Sequence, residues 1–114
     1  MKTLNEVNLI GNVGTEPTVK ILGDTKNKVI FSLATSVKYK NQSGAEVEKT
    51  TWHNIACYSK LQNTILSIVK KGSKLFIKGE LNYTPYEKNG VKCIYTEIVL
   101  EDFILMDKKE VQEQ

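Results

Sequence analysis

Apolar and polar residues alternate with a period of two along most of this chain, the pattern of strands with one buried and one solvated face. Val7 to Val13 reads as a short apolar strand closed by Gly11 and Gly14. Thr18 to Leu22 reads as a return before the turn-rich Gly23-Asp24-Thr25-Lys26-Asn27. Val29 to Val37 follows with Val29, Phe31, Leu33 and Val37 on one parity and Ser32, Ala34 and Ser36 on the other. Residues 40–50, with Ser43-Gly44, fit the tip of a long hairpin leading to a strand at Thr51 to Tyr58. Lys74 to Leu81 alternates again, Asn82 to Lys92 carries Pro85 and Asn89-Gly90 as a second long hairpin, and Ile94 to Met106 closes the series.

One segment changes period. Leu61, Ile65, Ile68 and Val69 recur at helical spacing, Ser59 and Gln62 stand as a capping box, and Lys70-Lys71-Gly72 supply a cationic end and a C′ glycine. These signals predict a helix of about three turns. A helix between the third and fourth strands of a five-stranded Greek-key series predicts a mainly β fold, a small OB barrel whose binding face lies near its second and third strands and longest loops.

The length of 114 residues suits one domain, read as 1–106 with a short charged extension at 107–114. No apolar run reaches the roughly 18 residues of a spanning helix, and Met1 to Glu6 lack a signal-peptide core, so a cytoplasmic protein without membrane contact is expected. Cys57 and Cys93 stand 36 residues apart with a single histidine in the chain, which gives no metal-ligand spacing; both thiols are expected to be reduced, buried apolar groups.

Charge adds a direction. Residues 1–100 hold 14 Lys against 8 acids, net +6, whereas residues 101–114 hold 2 Lys against 5 acids, net −3. A basic body favours polyanions through counterion release. All 16 cations are Lys, and without Arg the commonest base-specific contact, bidentate to guanine, is missing, so backbone attraction is expected to outweigh sequence readout.

The aromatic positions carry the candidate chemistry. On the third strand Trp52, Asn54, Ala56 and Tyr58 share one parity and His53, Ile55 and Cys57 the other. If Ile55 and Cys57 point into the barrel, Trp52 and Tyr58 point out. Outward rings flanked by Lys38, Lys40, Lys49, Lys60, Lys78 and Lys88 are the arrangement that single-stranded nucleic acid uses, bases stacking while ammonium groups follow phosphates. Tyr86, in the second hairpin beside Lys88, shares the parity of Lys78. Tyr39, beside Lys38 and Lys40, has the core parity of Leu33 and Val37 and needs a bulge or an overhang to be free. The bland alternative buries Trp52 as a core ring with a polar edge. Phe31, Phe76 and Phe103 are assigned to packing, and Tyr83 and Tyr95 fit either role. Gly11-Asn12-Val13-Gly14 has no phosphate-loop spacing and suits a strand bend. No catalytic residue is assigned: one His and scattered acids assemble no nucleophile with a base and no paired carboxylates.

Six ordered segments make the reading specific. Leu9-Ile10-Gly11-Asn12-Val13-Gly14 with Pro17, Phe31-Ser32-Leu33-Ala34-Thr35-Ser36, Thr51-Trp52-His53, Lys60-Leu61, Lys70-Lys71-Gly72-Ser73 with Gly79, and Tyr95-Thr96-Glu97-Ile98-Val99 resemble the bacterial single-stranded DNA-binding protein family. The resemblance spans about residue 5 to residue 106. It implies an OB-fold, a homotetramer, association with the nucleoid, and service in DNA replication, repair and recombination, without cofactor or catalysis. It also implies base-stacking roles for Tyr39, Trp52, Tyr58 and Tyr86, three of them Tyr where the family often has Trp or Phe, and a subunit-interface position for His53. The family usually continues through a Gly/Pro-rich linker to an acidic tip with a terminal Phe that recruits replication proteins. This sequence ends at Glu113-Gln114, either because it is trimmed or because this member lacks the tail, and the resemblance leaves recruitment of replication proteins open.

Two other readings compete. A replication accessory resembling the dimeric primosomal replication protein N shares the fold but is disfavoured by Thr51-Trp52-His53 and the full aromatic set. A protein-interaction OB module would bury Trp52 and show no salt-sensitive DNA affinity.

Overall fold

The computed structural model describes residues 2–107. Residues 108–114, which include most of the expected charged extension, lie outside the described residues. Among the described residues, six strands and one helix run in the order β1 (Val7–Val13), β2 (Thr18–Ile21), β3 (Asn27–Lys40), β4 (Glu46–Cys57), α1 (Gln62–Ile68), β5 (Lys74–Lys88) and β6 (Val91–Leu105). Neighbours in the sheet follow β1-β5-β6-β4-β3-β2, and β1 also pairs with β3, so five strands close into a barrel and β2 extends the edge of β3. All pairings are antiparallel except β4 with β6, where Ile55 and Ala56 face Ile98 and Val99.

Closure needs a close approach. Where Asn12 and Val13 meet Ala34 and Leu33, a Cβ on Gly11 would lie 2.2 Å from the Ala34 carbonyl oxygen, so only glycine lets β1 reach β3. Inside, Val13, Val29, Phe31, Leu33, Ile55, Cys57, Leu75, Ile77, Ile98 and Leu100 fill the barrel, and α1 covers it with Ile65 and the adjoining Val69. Each of the five barrel strands contributes residues of one parity, the pattern that the period of two predicts, whereas β2 is exposed throughout.

The two hairpins depart from expectation in one respect. The polar stretches expected as loops are paired strand almost to their tips: β3 and β4 remain in register to Lys40 and Glu46, and β5 and β6 to Lys88 and Val91. Both arms overhang the barrel with two solvated faces, so they lose the apolar alternation while keeping the ladder. Their tips follow sequence chemistry. Asn89 (φ 53°) and Gly90 (φ 79°) make the two-residue turn, and Asn41 Oδ1 accepts the Ser43 and Ala45 amides beside Gly44 (φ 83°).

Four expectations are corrected. The helix has seven residues rather than three turns, and Ile68 is exposed. Leu61, not Ser59, is its N-cap residue, and the Gln62 amide donates to the Asn27 carbonyl instead of closing a capping box; Ser59 Oγ does accept the Leu61 amide at 3.2 Å. Helical geometry stops at Val69, which is extended, so Gly72 (φ 94°) turns the following loop instead of capping the helix. Cys57 is buried, but Cys93 sits half-buried on the β5–β6 arm, where no core exists to cover it.

Candidate nucleic-acid interface

The β3–β4 register decides which side chains share a face. Trp52 stands opposite Ala34, Asn54 opposite Ser32, and Tyr58 continues the series opposite Lys28, all outside the barrel, while Ile55 and Cys57 point in. Trp52 is 62% exposed, which removes the buried-ring alternative. Its indole lies across Gly14, where the bend after β1 brings the chain beneath the ring.

Tyr39, half exposed, lies on the other face of the ribbon. The ladder is unbroken from Val29 to Lys40, so no bulge frees it; it stays on the parity of Leu33 and Val37 and is released by overhang of the arm. Lys49, opposite Val37, shares that face with it. Lys38 and Lys40 project on the Trp52 face, where they stand opposite Glu48 and Glu46, and Lys38 Nζ comes within 4.0 Å of a Glu46 carboxylate oxygen. These two acids, absent from the sequence reading, largely neutralise that part of the arm, although such an exposed pair contributes little to stability.

On the second arm Tyr86 stands opposite Cys93 and Lys88 opposite Val91, side by side on one face. The face continues through Thr84, Tyr95 and Glu97 to Tyr58, and with Lys20 and Lys28 these residues wall a groove of about 470 Å³. Tyr58 and Tyr86 therefore share one groove, with Tyr95 between them. Lys60 is exposed in the turn between Tyr58 and α1. Lys78 stands apart from the four aromatics, in a row between Asn8 of β1 and Asp102 of β6. His53 is half-buried, its Nε2 2.9 Å from Thr35 Oγ1.

The floor of the groove holds what sequence reading missed. Lys28 is 8% and Glu97 2% exposed, paired at 3.2 Å. The Tyr58 hydroxyl donates to Glu97, Lys28 Nζ lies 3.4 Å from that hydroxyl, and Asn82 Nδ2 donates to the same carboxylate at 3.4 Å. Burial disfavours both charges, but for each ion the partners outweigh it. Glu97 is held below its ordinary value by Tyr58 and Lys28, and Lys28 is held above its own by Glu97 and Tyr58. Burial, then Glu97, raises the Tyr58 hydroxyl, which stays protonated as a donor. No sequence signal gives this cluster, because it depends on the parallel pairing of β4 with β6 that brings Glu97 across to Lys28 and Tyr58.

A closed five-stranded barrel with one helix, presenting exposed rings among lysines on its outer strands, defines an OB-fold protein built to hold nucleic acid. The Single-strand binding protein family model matches residues 4–106. The chain is 39% identical over 114 residues to a single-stranded DNA-binding protein of Rickettsia felis, covering 94% of this chain and 75% of that one. It is 31% identical to the mitochondrial single-stranded DNA-binding protein of Danio rerio, covering 94% and 79%. A solved structure of a Plasmodium falciparum SSB complex with ssDNA superposes with a TM-score of 0.84 at 33% identity, over 94% of this chain and 98% of that one. The chain belongs to the single-strand binding protein family, and its activity is the binding of single-stranded DNA rather than catalysis.

Proposed function

We propose that this protein holds single-stranded DNA with little sequence preference by stacking bases on Trp52, Tyr58, Tyr86 and Tyr39 while lysines follow the phosphates, and that it does so to protect DNA in replication, repair and recombination. The observation that carries the reading is the exposed indole of Trp52 on the outer face of β4, on the side of the sheet that presents Tyr58. Each stacked base contributes about 1–3 kcal/mol and any base will serve, because every base has a π-face. Lys20, Lys49, Lys60 and Lys88 are the candidate phosphate partners, and Lys38 and Lys40 contribute less because glutamates stand opposite them. Since Tyr39 and Trp52 occupy opposite faces of the β3–β4 ribbon, a strand that meets both passes around the arm.

A homo-oligomer, read as a tetramer, has its own support. Ile10, Phe76 and Ile104 form a cross-strand apolar row on the outside of β1, β5 and β6, with Ile10 and Ile104 more than half exposed. β1 pairs with β5 along its length but with β3 only at Asn12 and Val13, which leaves one edge of Val7–Gly11 open to another strand. His53 is the proposed interface histidine. A competition experiment tests the main reading: labelled oligo(dT) should be displaced by unlabelled single strands of any sequence and barely by duplex. Displacement by duplex at equal concentration would overturn it.

A further inference from the structure

We propose that Lys28 and Glu97 are positioning residues of a base-stacking subsite: their buried ion pair fixes Tyr58 and gathers Tyr58 and Tyr95 around one ammonium, so that a groove walled by Tyr58, Tyr86 and Tyr95 stands open before a DNA strand enters it. The inference rests on the reading of Tyr58 as a stacking residue. It adds Tyr95 to the rings that contact bases.

The geometry is a clamp. Lys28 and Tyr58 continue the β3–β4 register, and Glu97 arrives from β6 on the other side of β4. Lys28 Nζ sits 5.5 Å from the Tyr58 ring centroid and 5.9 Å from that of Tyr95, within the range of cation–π attraction. Glu97 has one carboxylate oxygen engaged by Lys28 and the other by the Tyr58 hydroxyl and Asn82. With both oxygens occupied and its charge cancelled, the acid neither captures a base amino group nor repels a passing phosphate. Its remaining consequence is to hold the hydroxyl end of Tyr58 while the ring face stays open to the groove.

A buried ion pair is a poor way to stabilise a fold, since desolvation offsets most of what the pair returns and an apolar pair of similar volume does as well or better. Where the third partner is an exposed ring in a binding groove, the return comes in preorganisation. A tyrosine that must be ordered on binding costs about two- to tenfold in affinity, and one already clamped does not.

Binding of labelled oligo(dT) to the full chain, followed by anisotropy, tests this with three variants. Tyr58→Phe keeps the ring and removes only the clamped hydroxyl; it should bind about two- to tenfold more weakly, with salt slope and saturating Trp52 quench unchanged and the melting temperature lowered, since the buried Glu97 carboxylate loses one of its donors. Lys28→Met combined with Glu97→Gln removes both charges, and the ammonium beside Tyr95 with them, so it should weaken binding by at least as much, while the triple variant with Tyr58→Phe should lose less than the product of the two separate losses. Tyr95→Leu should also weaken binding. Wild-type affinity in Tyr58→Phe, losses that multiply in the triple variant, or wild-type affinity in Tyr95→Leu would overturn the proposal. If the charge-free variant fails to fold, Tyr58→Phe decides alone. Wild-type binding by both Tyr58→Ala and Trp52→Ala would instead remove the stacking reading beneath it, whereas a weakened Tyr58→Ala beside an unaffected Tyr58→Phe removes only the clamp.

Discussion

Gly14 lies directly beneath the indole of Trp52: a Cβ built on it would come within 2.2 Å of Trp52 Cζ3 and 2.9 Å of Ser32 Oγ. The obstructing carbons belong to the outer edge of an exposed ring, not to backbone, so the ring can be displaced while the bend survives. Gly14→Ala should therefore lower the melting temperature only slightly yet weaken single-strand binding by about fivefold or more, because the stacking platform is tilted out of place. Unchanged affinity would mean that the orientation of the indole on Gly14 has no part in binding.

Gly79 makes the contrasting prediction. A Cβ there would meet the Val99 carbonyl oxygen at 2.3 Å, beside the irregularity in the β5–β6 ladder at Lys78 and Gly79. Backbone cannot step aside as a ring edge can, so Gly79→Ala should destabilise the fold by about 1–3 kcal/mol. Chemical denaturation reads the loss, and the folded fraction should bind single strands with nearly wild-type affinity.

Stacking and charge separate by their salt dependence. Trp52→Ala should cost about 1–3 kcal/mol of affinity with an unchanged slope of log K against log salt, since no phosphate partner is lost. Lys20→Ala, at the wall of the tyrosine groove, should weaken binding to all sequences alike and reduce the slope by about 0.7, the value for one phosphate contact on a single strand. Identical slopes in both variants would place Lys20 away from the phosphates.

The Lys28–Glu97 pair sets a pH window. Burial works against the Glu97 charge, but Tyr58 and Lys28 hold its carboxyl below the ordinary 4.5, so its contribution to stability is complete above that value and is lost as pH falls through the lower folded value. Burial likewise opposes the Lys28 charge, but Glu97 and Tyr58 hold it above the ordinary 10.5, so its contribution is complete below that value and is lost as pH rises through the higher folded value. Between these limits the contribution of the pair should not vary with pH. Below pH 4.5 the wild type should lose stability more steeply than the variant carrying Lys28→Met and Glu97→Gln. Parallel acid limbs would contradict the depressed Glu97.

What the sequence discloses and what it hides divide along contact distance. The period-two strands, the Asn89-Gly90 turn and the outward parity of Trp52 and Tyr58 are set by neighbours within a few residues, and each is found where the pattern puts it. Tyr39 is legible only halfway: parity names its face, but the overhang that exposes it depends on how far the arm extends past the barrel. The helix start is misread because Leu61 rather than Ser59 takes the N-cap position, and the Gln62 side chain donates to the Asn27 carbonyl, 35 residues away in sequence. The Lys28–Glu97–Tyr58 cluster joins β3, β6 and the residue that follows β4, and no local signal announces the parallel pairing of β4 with β6 that assembles it.

The oligomer prediction is carried by the apolar row. Ile104→Glu would place a charge at the β6 end of the Ile10–Phe76–Ile104 stripe without touching the core. Light scattering should give a multiple of the 12.9 kDa chain mass for wild type and a smaller species for the variant. A wild-type monomer at micromolar concentration would remove the tetramer reading.

The central claim is that bases stack on Trp52, and a fluorescence titration tests it most directly because this is the single Trp of the chain. Oligo(dT) should quench its emission strongly and saturably, with duplex DNA of equal length doing far less. Unchanged emission at saturation, with binding confirmed by anisotropy of a labelled oligonucleotide, would contradict the account by placing the DNA on another face of the barrel.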